Sequence, residues 1–313
     1  MAGRILVGTS GWNYPTGKGT WNGVFYPARR GRGFDELAYY ADHFDTVEIN
    51  STFYRVPDAP LVESWLRRTP ASFIFSAKLY QKFTHPDMFL ARGGVSDWDV
   101  TRGDVDQFRR GIDPLAEQQR LGALLIQFPS SFHAEADTRG YLDWLLDVFA
   151  GYPVAVELRH ESWTDDAAGT RALLSGRDAT WAVIDQPVGV KHGSDPLGIS
   201  MGSDPCLTPR LAYLRLHGRN AANWWRHDES EDRYDYLYSA GELEPFAEVA
   251  QKSARDGKKV FLYLNNHFSA KAVANAAVLR HQIGDLVPGD YPREMVDRYP
   301  ALAGIVATSG LPL

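Results

Sequence analysis

Polar and charged residues stand at the ends of short apolar runs throughout this chain of 313 residues. A polar group buried without a partner costs about 1–3 kcal/mol, so each of these residues needs a partner or a ligand. A structural ion-pair layer explains any one of them, but so many together indicate a functional site. The residues are Glu48, Asn50, Lys78, Gln127, Glu157, Arg159, Asp185, Arg215, His217, Asn265 and Asn266.

The first interpretation of these residues is acid–base chemistry on an anionic substrate. Arginine forks suit a phosphate or carboxylate group, and lysine supplies a point charge. Proton transfer would fall to Glu157 or Glu48 together with His217, and a well-placed acid or base contributes about 10²–10⁴-fold in rate. The groups that would bind the substrate are Lys78, Arg159, Arg215, Asn50, Gln127, Asn265 and Asn266.

The second interpretation is a divalent-metal site. Glu157, Asp185 and His217 lie on three successive predicted strands, and a set of carboxylates with an imidazole suits Mg, Mn or Zn. The basic residues nearby weigh against a metal. The amides Asn265 and Asn266 also weigh against it, because they end a strand where another carboxylate would be a better metal ligand. The sequence therefore favours a site without a cofactor and keeps the metal as the alternative.

Glu157 and Arg159 are separated by one residue, so on a β-strand their side chains point to the same face. Two roles are open for this carboxylate. In a structural role it stays ionised through an ion pair with Arg159. In a catalytic role the arginine is chiefly occupied by the substrate anion. We expect the catalytic role.

The elements that position these residues alternate between strands and helices. Helical patterns cover residues 35–44, 61–68, 105–121, 138–149, 167–174, 242–254 and 270–283. The apolar runs cover residues 5–8, 46–50, 73–78, 123–128, 154–159, 180–185, 211–217 and 260–265. This alternation predicts a parallel sheet, and eight strands favour a single (β/α)8 TIM-like barrel over an open sheet. We expect one domain over residues 1–313, with the polar run ends meeting at the carboxyl-terminal mouth of the barrel.

Three connections after strands are too long for simple turns, over residues 79–104, 186–209 and 218–241. Loops of this length usually carry function or move. The middle one, rich in Gly, Ser and Pro, is expected to be the most mobile.

The composition limits the cellular compartments and the binding partners that we expect. The 33 basic and 39 acidic side chains give a net charge of −6, which argues against bulk nucleic-acid binding. The one cysteine, Cys206, excludes an internal disulfide framework. No apolar stretch approaches the roughly 18 residues of a membrane span, and the start of the chain has no signal-peptide pattern. We expect a cytoplasmic protein that binds a small anionic ligand, and the oligomeric state stays open.

Several motifs recur in a fixed order along nearly the whole chain. They are Gly8-Thr-Ser-Gly-Trp, Val47-Glu-Ile-Asn-Ser-Thr-Phe-Tyr, Phe75-Ser-Ala-Lys, Gln127-Phe-Pro-Ser-Ser-Phe, Val156-Glu-Leu-Arg-His-Glu-Ser-Trp, Leu214-Arg-Leu-His-Gly, Tyr234-Asp-Tyr-Leu-Tyr-Ser and Leu264-Asn-Asn-His. In these motifs the chain resembles the YecE-like family, also called the domain of unknown function 72 family. The resemblance implies a TIM-barrel-like fold and no established reaction. After Asn266, the stretch His267-Phe-Ser-Ala-Lys lacks the glycine expected from similar sequences.

Three functions remain open from the sequence. The favoured one is an enzyme, a hydrolase or isomerase, that acts by acid–base chemistry on a phosphorylated or carboxylated substrate at the barrel mouth. The first alternative is a metal-dependent phosphodiester hydrolase, by analogy of strand positions with barrel nucleases. The second alternative is a non-enzymatic sensor of an anionic ligand.

Overall fold

The strands form one nine-stranded sheet in the computed structural model, which describes residues 3–91, 100–187, 210–224, 229 and 231–309. Their order across the sheet is β6-β5-β4-β3-β2-β1-β9-β8-β7. Parallel ladders join β1 to β9, β3 to β4, β4 to β5 and β5 to β6. The strands are β1 (Ile5–Ser10), β2 (Thr46–Ile49), β3 (Ile74–Lys78), β4 (Leu121–Gln127), β5 (Val154–Glu157), β6 (Ala179–Trp181), β7 (Val183–Asp185), β8 (Leu211–Leu216) and β9 (Lys259–Leu264).

The nine strands correct the eight predicted from the sequence, because the sixth predicted run is divided at Ala182. Its first half, β6, pairs with β5, and its second half, β7, lies at the opposite end of the strand order, beside β8. The Ala182 N–H still donates to the Val156 carbonyl at 2.9 Å, whereas the Asp185 carbonyl accepts from the His217 N–H at 2.8 Å. One run of chain thus changes its hydrogen-bonding neighbour halfway along.

The strands are buried on both faces, as their continuous apolar runs predict. Every residue of β2, β4, β5 and β8 is buried. Polar residues within these strands are therefore desolvated as well. Glu48, Gln127, Glu157 and Arg215 are all in this position, and each must find its partners inside the protein.

The longer predicted helices are confirmed, with shifted ends. The second, predicted over residues 61–68, begins earlier, at Ala59, because the Asp58 side chain accepts from the Leu61 N–H and caps the helix. The single-turn helices were not predicted, since four residues carry no helical periodicity. The described helices are α1 (Glu36–Ala41), α2 (Ser51–Tyr54), α3 (Ala59–Arg67), α4 (Pro86–Ala91), α5 (Arg102–Glu117), α6 (Ala136–Val148), α7 (Ser162–Asp165), α8 (Ala167–Gly176), α9 (Ala221–Trp224), α10 (Ala240–Arg255), α11 (Lys271–Gln282) and α12 (Arg293–Arg298).

The loop before α11 takes a shape that glycine usually provides. Ser269 and Ala270 have φ values of 51° and 61°, in the left-handed region that a side chain with a Cβ disfavours. This is the stretch that lacks the glycine expected from similar sequences. The loop therefore keeps a left-handed conformation with residues that adopt it at a cost.

The chain divides into two compact units, each built from separate stretches. The first unit contains Met1–Val47, Ile184–Ser200 and Leu214–Leu313, and the second contains Glu48–Val183 and Met201–Tyr213. The first unit also carries a small parallel sheet of β10 (Asp290–Pro292) and β11 (Ala307–Ser309). A single domain over residues 1–313 stays a prediction.

All three long connections are described only in part. Residues 92–99, 188–209, 225–228 and 230 lie outside the described residues, so the expectation of a mobile middle connection does too. The first connection contains a 3-10 turn over Gln81–Phe83, followed by α4. In the described parts of the chain, no helix is both long and apolar enough to cross a membrane.

Candidate functional site

A buried carboxylate and a partly exposed arginine meet at the end of β5, in the second unit. The Glu157 side chain is 0% exposed and that of Arg159 is 20% exposed, and Arg159 Nε donates to Glu157 Oε1 at 2.6 Å. Their spacing by one residue puts both side chains on one face, as predicted. Among the residues that the structure describes, this is the one hydrogen bond that the Arg159 side chain makes. Both Nη groups of its guanidinium therefore keep their donors for another acceptor.

The binding of a substrate anion by Arg159 stays a prediction, and it concerns one edge of the guanidinium. The Nε edge belongs to Glu157, which fixes the orientation of the arginine. The Nη edge suits a phosphate or carboxylate group. Structural pairing and ligand binding are compatible here, because they use different donors of one side chain.

Lys78, at the end of β3, brings a second positive charge to the second unit. Its Nζ lies 3.9 Å from the centre of the Phe53 ring, a cation–π contact. Phe53 in turn meets the His85 ring edge-on, with centroids 4.9 Å apart and an interplanar angle of 90°. The predicted site residue Lys78 is therefore linked through one aromatic ring to a histidine that the sequence analysis did not place in the site.

His85 is held neutral. Burial lowers its pKa to about 3, with further lowering from the charges of Lys78 and Arg159 and a smaller opposing effect of Glu157. Its Nδ1 lies 2.8 Å from Thr84 Oγ1. These charges show that His85 shares one electrostatic environment with three predicted site residues, which come from β3 and β5.

Gln127, the last residue of β4, joins the same group. Its Nε2 lies 3.3 Å from His85 Nε2 and donates to the Phe128 carbonyl at 2.7 Å. Gln127 and Glu157 are direct partners in the β4–β5 register, so their side chains leave the sheet on the same face. Lys78, His85, Gln127, Glu157 and Arg159 form what we call the second-unit cluster.

Two further predicted residues of the second unit lie on β2 and just after it. The Tyr213 hydroxyl donates to Glu48 Oε2 at 2.7 Å, and both side chains are fully buried. Asn50 directly precedes α2, and its buried Oδ1 has no hydrogen-bond partner among the described residues. Glu48 thus has a buried phenol as one partner, and Asn50 keeps an unused acceptor.

The predicted residues of the first unit include a fully buried histidine. His217 Nε2 lies 3.4 Å from Arg215 Nη1, and its Nδ1 lies 2.9 Å from the Asn265 amide. Because arginine only donates, Nε2 is the acceptor in the contact with Arg215. The three residues therefore come together around one buried imidazole ring.

Asp185 is engaged by an arginine and a tyrosine that were not predicted. The Arg219 Nε donates to its Oδ2 at 2.9 Å, and the Tyr238 hydroxyl donates to the same oxygen at 2.6 Å. Arg219 also lies 3.4 Å from Glu242. Across the described ranges, no three His, Cys, Asp or Glu side chains are grouped to hold a metal ion. The metal set of Glu157, Asp185 and His217 stays the alternative prediction, and its Asp185 already accepts from Arg219 and Tyr238.

Burial raises the pKa of Asp185, against the lowering effect of its hydrogen bonds to Arg219 and Tyr238. A carboxyl whose pKa is higher in the folded state favours folding at low pH and loses that contribution as the pH rises. We expect the free energy of unfolding of the wild type to fall relative to that of Asp185→Asn as the pH rises from about 3 to 7. Urea unfolding at several pH values measures this slope.

Asp143 is the matched control for this experiment. Its hydrogen bonds to Arg177 lower its pKa, so the slope against Asp143→Asn should have the opposite sign. Slopes of the same sign for the two variants would contradict the assignment for Asp185.

Asn266 belongs to a network that holds the backbone in the first unit. Its Nδ2 donates to the Tyr236 carbonyl and to Asn275 Oδ1, both at 2.8 Å. Asn275 also donates to the Tyr238 carbonyl at 2.8 Å and accepts from the Tyr238 N–H at 3.0 Å. The predicted substrate residue Asn266 therefore fixes the segment that carries Tyr238.

The residues that sequence reasoning missed follow the strands by a few positions. Arg219 is two residues beyond His217, the spacing that also relates Glu157 to Arg159. That repeated spacing could have signalled Arg219. His85 follows a 3-10 turn, and no periodicity points to it.

Comparison with known proteins finds one family along almost all of the chain. The family model described as "Protein of unknown function DUF72" matches residues 6–294. The UPF0759 protein YunF of Bacillus subtilis (strain 168) is 27% identical over 297 residues, which cover 93% of this chain and 99% of that protein.

Solved structures of DUF72 family proteins are also similar to this chain along most of its length. The crystal structure of a DUF72 family protein from Thermotoga maritima is 32% identical, with a TM-score of 0.70, over 90% of this chain and 99% of that one. A DUF72 family protein from Enterococcus faecalis V583, at 23% identity, has a TM-score of 0.73 over 90% of this chain and 96% of its own. The α/β barrel fold class predicted from the sequence is confirmed.

Proposed function

We propose that this chain, which belongs to the DUF72 family of proteins of unknown function, is an enzyme that acts on a small anionic substrate. The substrate carries a phosphate or carboxylate group, and the reaction is a hydrolysis or isomerisation by general acid–base catalysis. The predicted family membership is confirmed, and it brings no reaction with it. The proposal therefore rests on the side chains of this chain.

The observation that carries the proposal is the one-sided pairing of Arg159. Its Nε is used by Glu157, and within the described residues its Nη groups have no partner, on a side chain that is 20% exposed. Two parallel N–H donors are the geometry that recognises an oxyanion. Because His85 is neutral, the charged groups of the second-unit cluster are two cations, Lys78 and Arg159, and one carboxylate, Glu157. The excess positive charge favours an anionic ligand.

Glu157 is the acid–base group that we assign to this unit. An anion bound at the Nη edge of Arg159 is brought beside the carboxylate that holds the Nε edge. Glu48, which accepts from Tyr213, and His217, which lies beside Arg215, remain proposed proton-transfer groups within their own units. No step is assigned to a metal, because Asp185 of the alternative set is engaged by Arg219.

Arg159→Lys should weaken the binding of inorganic phosphate about tenfold, which corresponds to about 1.4 kcal/mol. Lysine keeps the charge but has no fork with which to bind two oxygens. Titration calorimetry measures the change. Arg177→Lys is the control, since Arg177 is paired with Asp143 and Asp147 on the surface and should leave phosphate affinity unchanged. Equal phosphate affinity in wild type and Arg159→Lys would overturn the assignment of Arg159.

Turnover separates the proposed enzyme from the alternative of a sensor. A panel of phosphate and carboxylate esters, followed by product release, should contain at least one substrate. Activity that survives a chelator favours the acid–base proposal over the metal-dependent phosphodiester hydrolase. Phosphate binding without turnover of any ester in the panel favours the sensor.

A further inference from the structure

The amide of Gln127 has both of its N–H groups in use. Nε2 donates to the Phe128 carbonyl at 2.7 Å and lies 3.3 Å from His85 Nε2. A carbonyl oxygen only accepts, so the NH2 end of the amide must face Phe128. The amide orientation of Gln127 is therefore fixed by its own backbone neighbour.

That orientation determines the tautomer of His85. Because the Gln127 NH2 group can only donate to His85 Nε2, this nitrogen is unprotonated and the ring proton sits on Nδ1. Nδ1 then donates to Thr84 Oγ1, 2.8 Å away. The low pKa of His85, about 3, keeps this arrangement in place at neutral pH. Protonated at Nε2, His85 could no longer accept from Gln127.

The remaining polar atom of Gln127 is Oε1. Within the described part of the chain it makes no hydrogen bond, although the residue is only 4% exposed. Gln127 pairs in register with Glu157, so the free acceptor leaves the sheet on the face that carries the Glu157–Arg159 pair. The second-unit cluster thus combines donors for an anion at Arg159 with a fixed acceptor at Gln127.

We propose that Gln127 Oε1 accepts a hydrogen bond from a hydroxyl group of the substrate. In this proposal His85 is a positioning residue, which helps to hold the Gln127 amide so that Oε1 faces the substrate. The inference rests on the proposed function and narrows its substrate class. The substrate is an anion that also carries a hydroxyl group: a hydroxylated phosphate ester or a hydroxy acid.

A hydroxyl suits this acceptor better than an ammonium group. Lys78 and Arg159 already act on His85, the direct neighbour of Gln127, with two positive charges. An ammonium group placed at Gln127 would be repelled by the same charges. A neutral hydroxyl donates to the amide oxygen without that repulsion.

The test uses two pairs of probes that differ only by a hydroxyl. One pair is 2-hydroxyethyl phosphate and ethyl phosphate, and the other is glycolate and acetate. Titration calorimetry should give about tenfold tighter binding of the hydroxylated probe by the wild type, since a site built to bind a hydroxyl is left unpaired without one. A preference in the first pair alone identifies a phosphate substrate, and one in the second pair alone a carboxylate.

Gln127→Met should lose this preference and keep its affinity for the probe without a hydroxyl. His85→Phe should reduce the preference, because the Gln127 NH2 group then keeps only the Phe128 carbonyl as an acceptor and the amide is held less firmly. Gln81→Met is the matched control, since Gln81 is an equally buried glutamine near His85 and should leave the preference intact. A ratio of two affinities does not move when a variant is merely less stable.

Equal affinity of the wild type for both members of each pair overturns the inference without any variant, and leaves anion binding standing. A preference that persists in folded Gln127→Met overturns it too. If no probe binds to the wild type, the proposed function fails, and this inference fails with it.

Discussion

Acidification from pH 7 to pH 4 should cost the wild type about 3 kcal/mol more in free energy of unfolding than it costs His85→Phe. The folded protein keeps His85 neutral because its pKa is lowered to about 3. The unfolded chain takes up a proton near pH 6.5, the ordinary value for histidine. Unfolding is therefore coupled to proton uptake below that value, and the stability that comes from neutral His85 is lost as the pH falls.

Urea unfolding at intervals of pH measures the two slopes. Gln127→Met is the control, because it removes the hydrogen bond to His85 but leaves the imidazole, so its slope should follow the wild type. Parallel slopes for wild type and His85→Phe would mean that His85 titrates normally in the folded protein. His85 would then take up a proton at mildly acidic pH and could no longer accept from Gln127 there.

Arg159→Met should lower the free energy of unfolding by about 3–5 kcal/mol, because it removes a partner of a fully buried carboxylate. Glu157→Gln should cost less, about 1–3 kcal/mol, because it leaves behind an arginine that is partly exposed. The double variant should be more stable than the sum of the two losses indicates, by about 0.5–3 kcal/mol. A double-mutant cycle of urea unfolding measures this coupling.

The surface pair of Arg177 and Asp143 is the control for the cycle. Both side chains are substantially exposed, and exposed pairs contribute at most about 1 kcal/mol. Strict additivity at Glu157 and Arg159 would show that the 2.6 Å contact carries no coupling. A neutral or stabilising effect of Glu157→Gln would show that Arg159 serves the substrate anion before it serves Glu157.

The positions of Lys78, Gln127, Glu157 and Arg159 could be predicted from the sequence. Each follows or ends an apolar run, and a parallel strand makes its last residue easy to recognise when that residue is polar. The same pattern predicted the fold class, since alternating runs and helical segments constrain the topology strongly.

The partners of these residues could not be predicted, because they depend on contacts between distant parts of the chain. His85 meets Gln127 across 42 positions of sequence, and its burial lowers its pKa only once the chain is folded. The division of one run at Ala182 has the same origin. Its composition is that of one continuous strand, and only the choice of hydrogen-bonding neighbours separates its halves.

The pairing of β1 with β9 has a consequence for synthesis on the ribosome. Ile5 pairs with Val260, so β1 emerges long before β9, which is one of its two neighbours in the sheet. The neighbours β3, β4, β5 and β6 follow one another along the chain and are available to each other early. The nascent chain therefore holds an apolar strand with an open edge for most of its translation. A chaperone that covers such edges should associate with the nascent chain before residue 260 emerges and leave it afterwards.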